Sequence, residues 1–286
     1  MTEQLTGDLQ HLEPGVARIL APNPSPFTHS GTWTHLIGER SLAIVDPGPD
    51  LPAHRDALIA AIAGRPVAAI VVTHNHRDHS PLAPALKAAT GAPIVGAAPI
   101  LASDDGGPHA DDGFDLDYAP DRVLADGEAL VGDGWTLTAL ATPGHTSNHL
   151  SFVLDGTGVL LPGDHVMGWS TTVVSPPDGD MAAYMASLEK LLEREDDRIY
   201  YPAHGDPIEN PRRFVRGLLG HRKQREGQIM RLLTADVTGV HDMVAKMYVG
   251  LDPRLVPAAA RSVLAHLIDL RGRGLVIGES ESWRLA

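Results

Sequence analysis

Ala69-Ile70-Val71-Val72-Thr73-His74-Asn75-His76-Arg77-Asp78-His79 decides how the rest of this chain is read. The apolar, β-branched run at its start predicts a buried strand. It leads directly into four side chains able to bind a metal: His74, His76, Asp78 and His79. Just past a strand, an extended chain points alternate side chains the same way, so His74 and His76 can close on one metal. Asp78 and His79, a turn later, reach a second. Imidazole and carboxylate donors without thiolate suit zinc best, with manganese and iron as alternatives. Two histidines and an aspartate can also form an ordinary polar loop. H-x-H-x-D-H directly after a strand is read as a ligand loop because the chain supplies the missing partners.

Those partners come from strand ends that resemble the first. Trp135–Ala141 runs into Thr142-Pro143-Gly144-His145-Thr146-Ser147-Asn148-His149, Val159–Leu161 into Pro162-Gly163-Asp164-His165, and Ile199–Tyr201 into Pro202-Ala203-His204-Gly205. The ligand set is read as His74, His76 and His145 for one metal and Asp78, His79 and His204 for the other, with Asp164 as a bridge. The bridge has a physical reason: two dications about 3.5–4 Å apart need shared negative charge, from a carboxylate and a hydroxide. That hydroxide is the expected nucleophile, and Asp78 is given a catalytic role beside its role as ligand. Asp46, at a strand end before Pro47-Gly48-Pro49, is placed to accept from the N–H of a ligand histidine. His149 is read as contacting a ligand or the substrate, and Arg77 as facing outward or pairing with a carboxylate. His11, His29, His35, His54, His109, His221, His241 and His266 lack motif context and are treated as structural or surface residues.

The chain of 286 residues is long enough for a large core and a second small unit. Hydrophobic content of 43% and charged content of 21% are those of a folded soluble protein. Cysteine is absent, which excludes disulfides and thiolate metal sites. Met1-Thr2-Glu3-Gln4-Leu5 has neither the basic nor the apolar region of a signal peptide, and no apolar run approaches the length that spans a bilayer. A cytoplasmic protein without membrane contact is expected. Residues 1–205 carry 10 Lys/Arg and 27 Asp/Glu, a net of −17, and residues 206–286 carry 13 and 9, a net of +4. The acidic body argues against broad nucleic-acid binding, while the tail keeps that question open.

Taken in order, Val16–Leu20 is a first strand and Thr32–Ile37 with Ser41–Val45 a hairpin. Leu51–Ala63 is a helix stopped by Gly64, Ser80–Thr90 a second, and Pro93–Val95 a short strand. The acidic stretch 103–121 fits no EF-hand spacing and is read as an exposed loop at the rim of the site. Arg122–Leu124, Glu128–Val131 and Trp135–Ala141 read as a meander, and Asp180–Arg194 as a helix. From Pro211 the pattern turns helical: a long basic segment to Thr234, helices near His241–Tyr248 and Leu255–Leu270, then a hairpin of Leu275–Ile277 and Ser282–Leu285. Helices followed by a small hairpin look like a winged helix. The domains are therefore set at 1–210 and 211–286.

His74-x-His76-x-Asp78-His79, Thr142-Pro143-Gly144-His145-Thr146, Gly163-Asp164 and Ala203-His204-Gly205, in that order, resemble the metallo-β-lactamase superfamily. The resemblance covers residues 15–210. It implies an α+β fold, an αββα sandwich with two metals at the sheet edge. The tail, through His221-Arg222-x-x-Arg225-Glu226-x-Gln228-Ile229, is similar to the winged-helix extension of a subgroup holding a mitochondrial β-lactamase-like endoribonuclease and bacterial hydrolases. Cysteine-ligand lactamases are excluded because the chain has no cysteine. The nuclease branch with a large insertion fits poorly, since 39 residues separate Asp164 from His204 (204 − 164 − 1). The diiron oxygen-reducing branch has a carboxylate at the place of His76. Glyoxalase-type thioesterases share the ligands but have a different tail.

The resemblance thus implies a hydrolase with two zinc ions acting on a small ester, thioester, lactone or lactam. The second reading is a single-strand endoribonuclease with RNA held by the tail. A third, a winged-helix DNA-binding module with a vestigial body, is weakest because the ligand set is complete. A homodimer is a further expected partner state, since apolar tail positions such as Leu218 and Leu264 need a surface to cover them.

Overall fold

Residues 69–72 have both faces buried, and the apolar run is continuous rather than alternating for that reason. The computed structural model describes residues 6–100, 113–279 and 282–286. It divides into two compact units. The first comprises residues 6–100, 113–141, 148–170 and 196–209; the second comprises 142–147, 171–195, 210–279 and 282–286.

The first unit begins with the strands β1 (Gln10–Glu13), β2 (Val16–Leu20), β3 (Trp33–Ile37) and β4 (Leu42–Val45), paired antiparallel in that order. Helix α1 (Pro52–Ile62) then carries the chain to β5 (Val67–Val72), and helix α2 (Ala83–Thr90) carries it to β6 (Ile94–Gly96). Strands joined by helical crossovers pair in parallel. β4, β5 and β6 do so, and β7 (Arg122–Val123) adds to β6 in the same sense. A second sheet holds β8 (Ala129–Gly132), β9 (Trp135–Ala141), β10 (Leu150–Leu154) and β11 (Val159–Leu161), antiparallel. Its last strand, β12 (Ile199–Tyr200), pairs parallel to β11.

Two clusters explain why the sheets are apolar on their buried faces. Val45, Val71 and Val95 of the first sheet meet Leu137, Phe152, Leu154 and Leu161 of the second. On the opposite face of the first sheet, Ile44, Ile70 and Val72 pack with Leu58 and Ile62 of α1 and Leu86 of α2. The parallel pairings have a consequence for chemistry: β4 and β5 end at one sheet edge, and β11 and β12 end together in the other sheet. Chain segments leaving parallel strands at their carboxyl ends are where side chains can gather.

In the second unit Asp180 caps helix α3 (Met181–Leu192), its Oδ1 accepting from the Ala183 N–H at 2.8 Å. Helix α4 (Pro211–Thr234), helix α5 (Val240–Met247), a single 3-10 turn at Pro253–Leu255 and helix α6 (Val256–Gly272) follow. The hairpin of β13 (Val276–Glu279) and β14 (Ser282–Leu285) closes it. Ile229, Leu233, Met243, Val263, Leu267 and Trp283 form the core of these elements. Leu218 and Leu219 are buried, and Leu264 packs partly covered against this core.

Three expectations change. β1 is a polar strand, Gln10-His11-Leu12-Glu13, which apolar patterning does not reveal. Arg122–Val123 is not part of a meander; both residues are exposed, and they extend the first sheet beside β6. α2 starts at Ala83 rather than Ser80, with the residues before it in a turn closed by the Ala83 N–H on the Ser80 carbonyl at 2.9 Å. Of the acidic stretch 103–121, residues 103–112 lie outside the described residues.

Candidate metal centre

β4 ends in Asp46, a non-glycine residue at φ 51°. Such a conformation persists where the surroundings over-determine it, and here they do. Its Oδ1 accepts from the Thr73 N–H at 2.8 Å, and its Oδ2 accepts from the Thr73 hydroxyl at 2.9 Å and from His79 Nδ1 at 3.0 Å. The strand end of β4 thereby fixes the first and last residues of the loop that follows β5. With Nδ1 donating, His79 directs Nε2 away from Asp46.

The middle of the loop is held from another side. Arg77 N–H donates to the Gly113 carbonyl at 2.7 Å, and Asp115 N–H donates to the Asn75 carbonyl at 2.7 Å. Arg77 Nε donates to the Phe114 carbonyl at 3.1 Å, so Arg77 serves the loop rather than a carboxylate. Asn148 Nδ2 donates to Asn75 Oδ1 at 2.8 Å. His74 Nδ1 lies 3.0 Å from the Thr73 hydroxyl, and His74 Nε2 faces His76 Nδ1 at 2.8 Å. The alternation expected past a strand has brought these two rings to one point.

The second sheet contributes the other donors. Trp33 N–H donates to the Ala203 carbonyl at 2.8 Å, and its indole N–H to the Gly205 carbonyl at 3.1 Å, which anchors the turn after β12. His204 Nδ1 then donates to the Gly31 carbonyl at 3.0 Å. After β11 the chain turns through Gly163, at φ 52°, where a Cβ would lie 2.7 Å from His149 Nε2. That nitrogen accepts from the Asp164 N–H at 3.2 Å, so His149 steadies the turn that presents Asp164.

Four donor atoms converge. His204 Nε2 lies 3.1 Å from Asp78 Oδ2 and 3.3 Å from Asp164 Oδ1, while His79 Nε2 lies 3.4 and 3.5 Å from the same two oxygens. Donors about 2.0–2.1 Å from a tetrahedral zinc stand about 3.3–3.4 Å from one another. The observed spacings match that edge, and buried His79 Nε2 has no hydrogen-bond partner. The grouping of Asp78, His79 and His204 therefore fits a metal ion by distance and by donor type, and His74, His79 and Asp164 offer donor atoms within 4.8 Å of one another.

Charge tells the same story. Burial alone would raise the carboxyl of Asp78, but His79 and His204 outweigh it and hold Asp78 well below the usual carboxylate range. Asp164 is likewise depressed: burial opposes it, and His204 and His79 prevail. Burial would lower His79, yet Asp78, Asp164 and Asp46 drive it well up. His204 goes against burial too, pushed to about 10 chiefly by Asp164 and Asp78. Two ionised carboxylates gathered around two imidazoles are a site that favours positive charge.

His145 belongs to the second unit. Its Nδ1 donates to the Val173 carbonyl at 2.7 Å, which leaves Nε2 as the ring nitrogen able to bind a metal. Among contributors that spacing does not reveal, Thr32 donates its hydroxyl to Asp78 Oδ2 at 3.0 Å and itself accepts from Asn23 Nδ2 at 2.9 Å. Thr73, Phe114 and Val173 act through a hydroxyl or a main-chain carbonyl, and no motif marks such residues.

Comparison with known proteins agrees with this geometry. The sequence model of the family described as “Metallo-beta-lactamase superfamily” matches residues 28–204, and that of the “Beta-lactamase associated winged helix domain” matches 240–283. The chain is 32% identical over 282 residues to the “Beta-lactamase-like protein 2 homolog” of Drosophila melanogaster, covering 92% of this chain and 90% of that protein. It is 32% identical over 232 residues to the “Atrochrysone carboxyl ACP thioesterase” of Aspergillus chevalieri, covering 79% of this chain and 68% of that one. A solved β-lactamase domain protein from Burkholderia ambifaria superposes with a TM-score of 0.83 at 24% identity, over 100% of this chain and 95% of that chain. The fold is thus the α+β metallo-β-lactamase fold with a C-terminal winged-helix domain.

Proposed function

This chain belongs to the metallo-β-lactamase superfamily, and from that premise we propose that it is a dinuclear metal hydrolase of a small ester or thioester, with lactones and lactams in the same chemical range. The observation that carries the reading is the convergence of His79 and His204 Nε2 on Asp78 and Asp164 oxygens at 3.1–3.5 Å. Asp78, His79 and His204 would hold one metal and His74, His76 and His145 the other, with Asp164 shared. Zinc is the expected ion, manganese and iron the alternatives. When bound, such ions acidify a water toward neutral pH and polarise a carbonyl.

The chain's own residues do the rest. Asp46 and the Gly31 carbonyl hold His79 and His204 in the tautomer that offers Nε2. Asp78, with its side chain 26% exposed against 9% for Asp164, is the carboxylate of the set open to solvent. Ionised, and fixed by the Thr32 hydroxyl, it is placed to accept a hydrogen bond from the attacking water and to orient it. Asp164, deeper and propped by His149, supplies the shared charge.

The net charge of −17 on residues 1–205 favours a neutral or small substrate over a phosphate backbone. A single-strand endoribonuclease is the second reading, favoured by exposed Arg213, Arg216 and Lys223 on α4. Two members of that basic cluster are otherwise engaged. Arg222 is buried against Thr172 and Tyr184, and Arg225 lies over the Tyr248 ring at 4.3 Å. Initial rates on a panel of thioesters, lactones, nitrocefin and labelled single-stranded RNA test the choice. Turnover of a thioester or lactone with inert RNA supports the first reading; cleavage of RNA alone replaces it with the second.

A further inference from the structure

The segment 142–147, which presents His145, is tied to residues 171–187 by several hydrogen bonds. Asp180 N–H donates to the Gly144 carbonyl at 2.9 Å, and the Ser187 hydroxyl donates to the Pro143 carbonyl at 2.8 Å. Asp178 accepts from both the N–H and the hydroxyl of Ser147, at 2.9 and 2.5 Å. Gly144, at φ 134°, lies so close to α3 that a Cβ would stand 2.3 Å from Tyr184 Cα. The Val173 carbonyl completes the set by taking the His145 Nδ1 proton.

Residues 171–180 hold no helix or strand, only a turn at 176–178 closed by the Gly179 N–H on the Ser175 carbonyl at 2.8 Å. The tail of the chain secures it at two places. Arg222 of α4 donates to the carbonyl of Thr172, the residue before the His145 acceptor. Its guanidinium also lies over the Tyr184 ring at 5.1 Å. Arg261 of α6 donates through Nη1 to the Pro176 carbonyl at 2.9 Å. Arg222 is 3% exposed, and a desolvated guanidinium is costly unless its hydrogen bonds are good ones. Each guanidinium gives the run one hydrogen bond, and Arg222 adds a contact with the Tyr184 ring that a lysine ammonium would not reproduce in the same planar form.

We propose that Arg222 and Arg261 are positioning residues for His145, through which the C-terminal helices set the ring that binds one of the two metals. The inference rests on the reading of His145 as a ligand. A hydrogen bond that orients a ligand histidine is worth on the order of tenfold to a hundredfold in metal affinity. The same loss is expected at one site when the anchor of the Val173 carbonyl is released.

The test uses the full chain, stripped of metal and titrated with zinc against a chromophoric chelator. His145→Ala checks the underlying reading: two tight sites should become one. Two tight sites in that variant would refute the ligand role, and with it the positioning role. Arg222→Met should weaken one site on the order of tenfold to a hundredfold and leave the other unchanged. In the His145→Ala background the same substitution should weaken the remaining site no further. A purely structural arginine would instead lower both sites, or neither, in both backgrounds, and either result overturns the proposal. Arg222→Lys should restore only part of the affinity. If Arg222→Met does not fold, Arg261→Met, at a half-buried position, decides: one weakened site supports the proposal, and two sites of wild-type affinity overturn it.

Discussion

Asp46→Asn is the sharpest perturbation of the site that leaves every ligand in place. Asparagine has the same shape and tolerates the left-handed backbone that Asp46 adopts at φ 51°. The carboxylate accepts three hydrogen bonds, one on Oδ1 and two on Oδ2, whereas an amide has a single acceptor oxygen. With the amide oxygen kept toward the Thr73 N–H, its NH2 group faces the Thr73 hydroxyl and His79 Nδ1. The hydroxyl can turn, but His79 must surrender its Nδ1 proton and carry one on Nε2, the atom aimed at Asp78 and Asp164. With the amide flipped, the buried Thr73 N–H is left without an acceptor, which costs about 1–3 kcal/mol. Since about 1.4 kcal/mol is a factor of ten, either outcome predicts a loss on the order of tenfold to a hundredfold in affinity for the metal bound by His79. Competition titration with a chromophoric zinc chelator measures it directly, and a circular dichroism melt separates misfolding from ligand loss. Both zinc affinities within about twofold of wild type would refute the claim that Asp46 sets the His79 tautomer.

Three other outcomes follow from the same geometry. Asp164→Ala removes the shared charge and should lower metal occupancy and turnover together; a variant with two tightly held metals and normal rates would show that Asp164 does not bridge. In the metal-stripped protein His204 should titrate at about 10 rather than 6.5: burial would lower it, but Asp164 and Asp78 raise it. A raised folded pKa stabilises fully below 6.5 and loses that contribution as pH rises through 10. The melting temperature of the stripped protein should therefore fall across that interval, and a flat profile would contradict the assignment. Neutralising exposed Arg213, Arg216 and Lys223 together should leave ester or thioester hydrolysis near wild type. If RNA is the substrate, the salt dependence of log affinity should instead flatten by about 0.7 for each phosphate that is no longer neutralised, which a filter-binding series across salt would reveal.

How much of this was legible in the sequence depends on what kind of interaction carries the site. The gathering of metal-capable side chains after β5 could be read because His74, His76, Asp78 and His79 follow an apolar strand at fixed spacing. Asp164 and His204 each sit in a Gly/Pro turn after a strand, and the structure brings both to the loop. Asp46 was visible for the same reason, as an acid at a strand end. What escaped reading acts through atoms every residue has, or through small hydroxyls. The Val173 and Gly31 carbonyls and the Thr32 and Thr73 hydroxyls leave no periodicity or motif. Strand β1 escaped because an edge strand need not be apolar, and β7 because two exposed residues carry no pattern. The grouping of residues 171–195 with the tail depends on long-range packing by Arg222 and Arg261, which chain order conceals. The membrane expectation rested on hydropathy, and among the described residues no helix is long and apolar enough to cross a membrane.

The central claim is that hydrolysis here depends on two metals held by the histidines and carboxylates at the sheet edges. The most direct measurement adds zinc back to the metal-stripped chain while following hydrolysis of the best thioester or ester from the panel. Activity should be absent in the stripped protein and rise to a plateau at about two equivalents per chain, as the two ligand sets require. Full activity in the stripped protein, or a rate indifferent to added zinc, manganese and iron, would contradict the account.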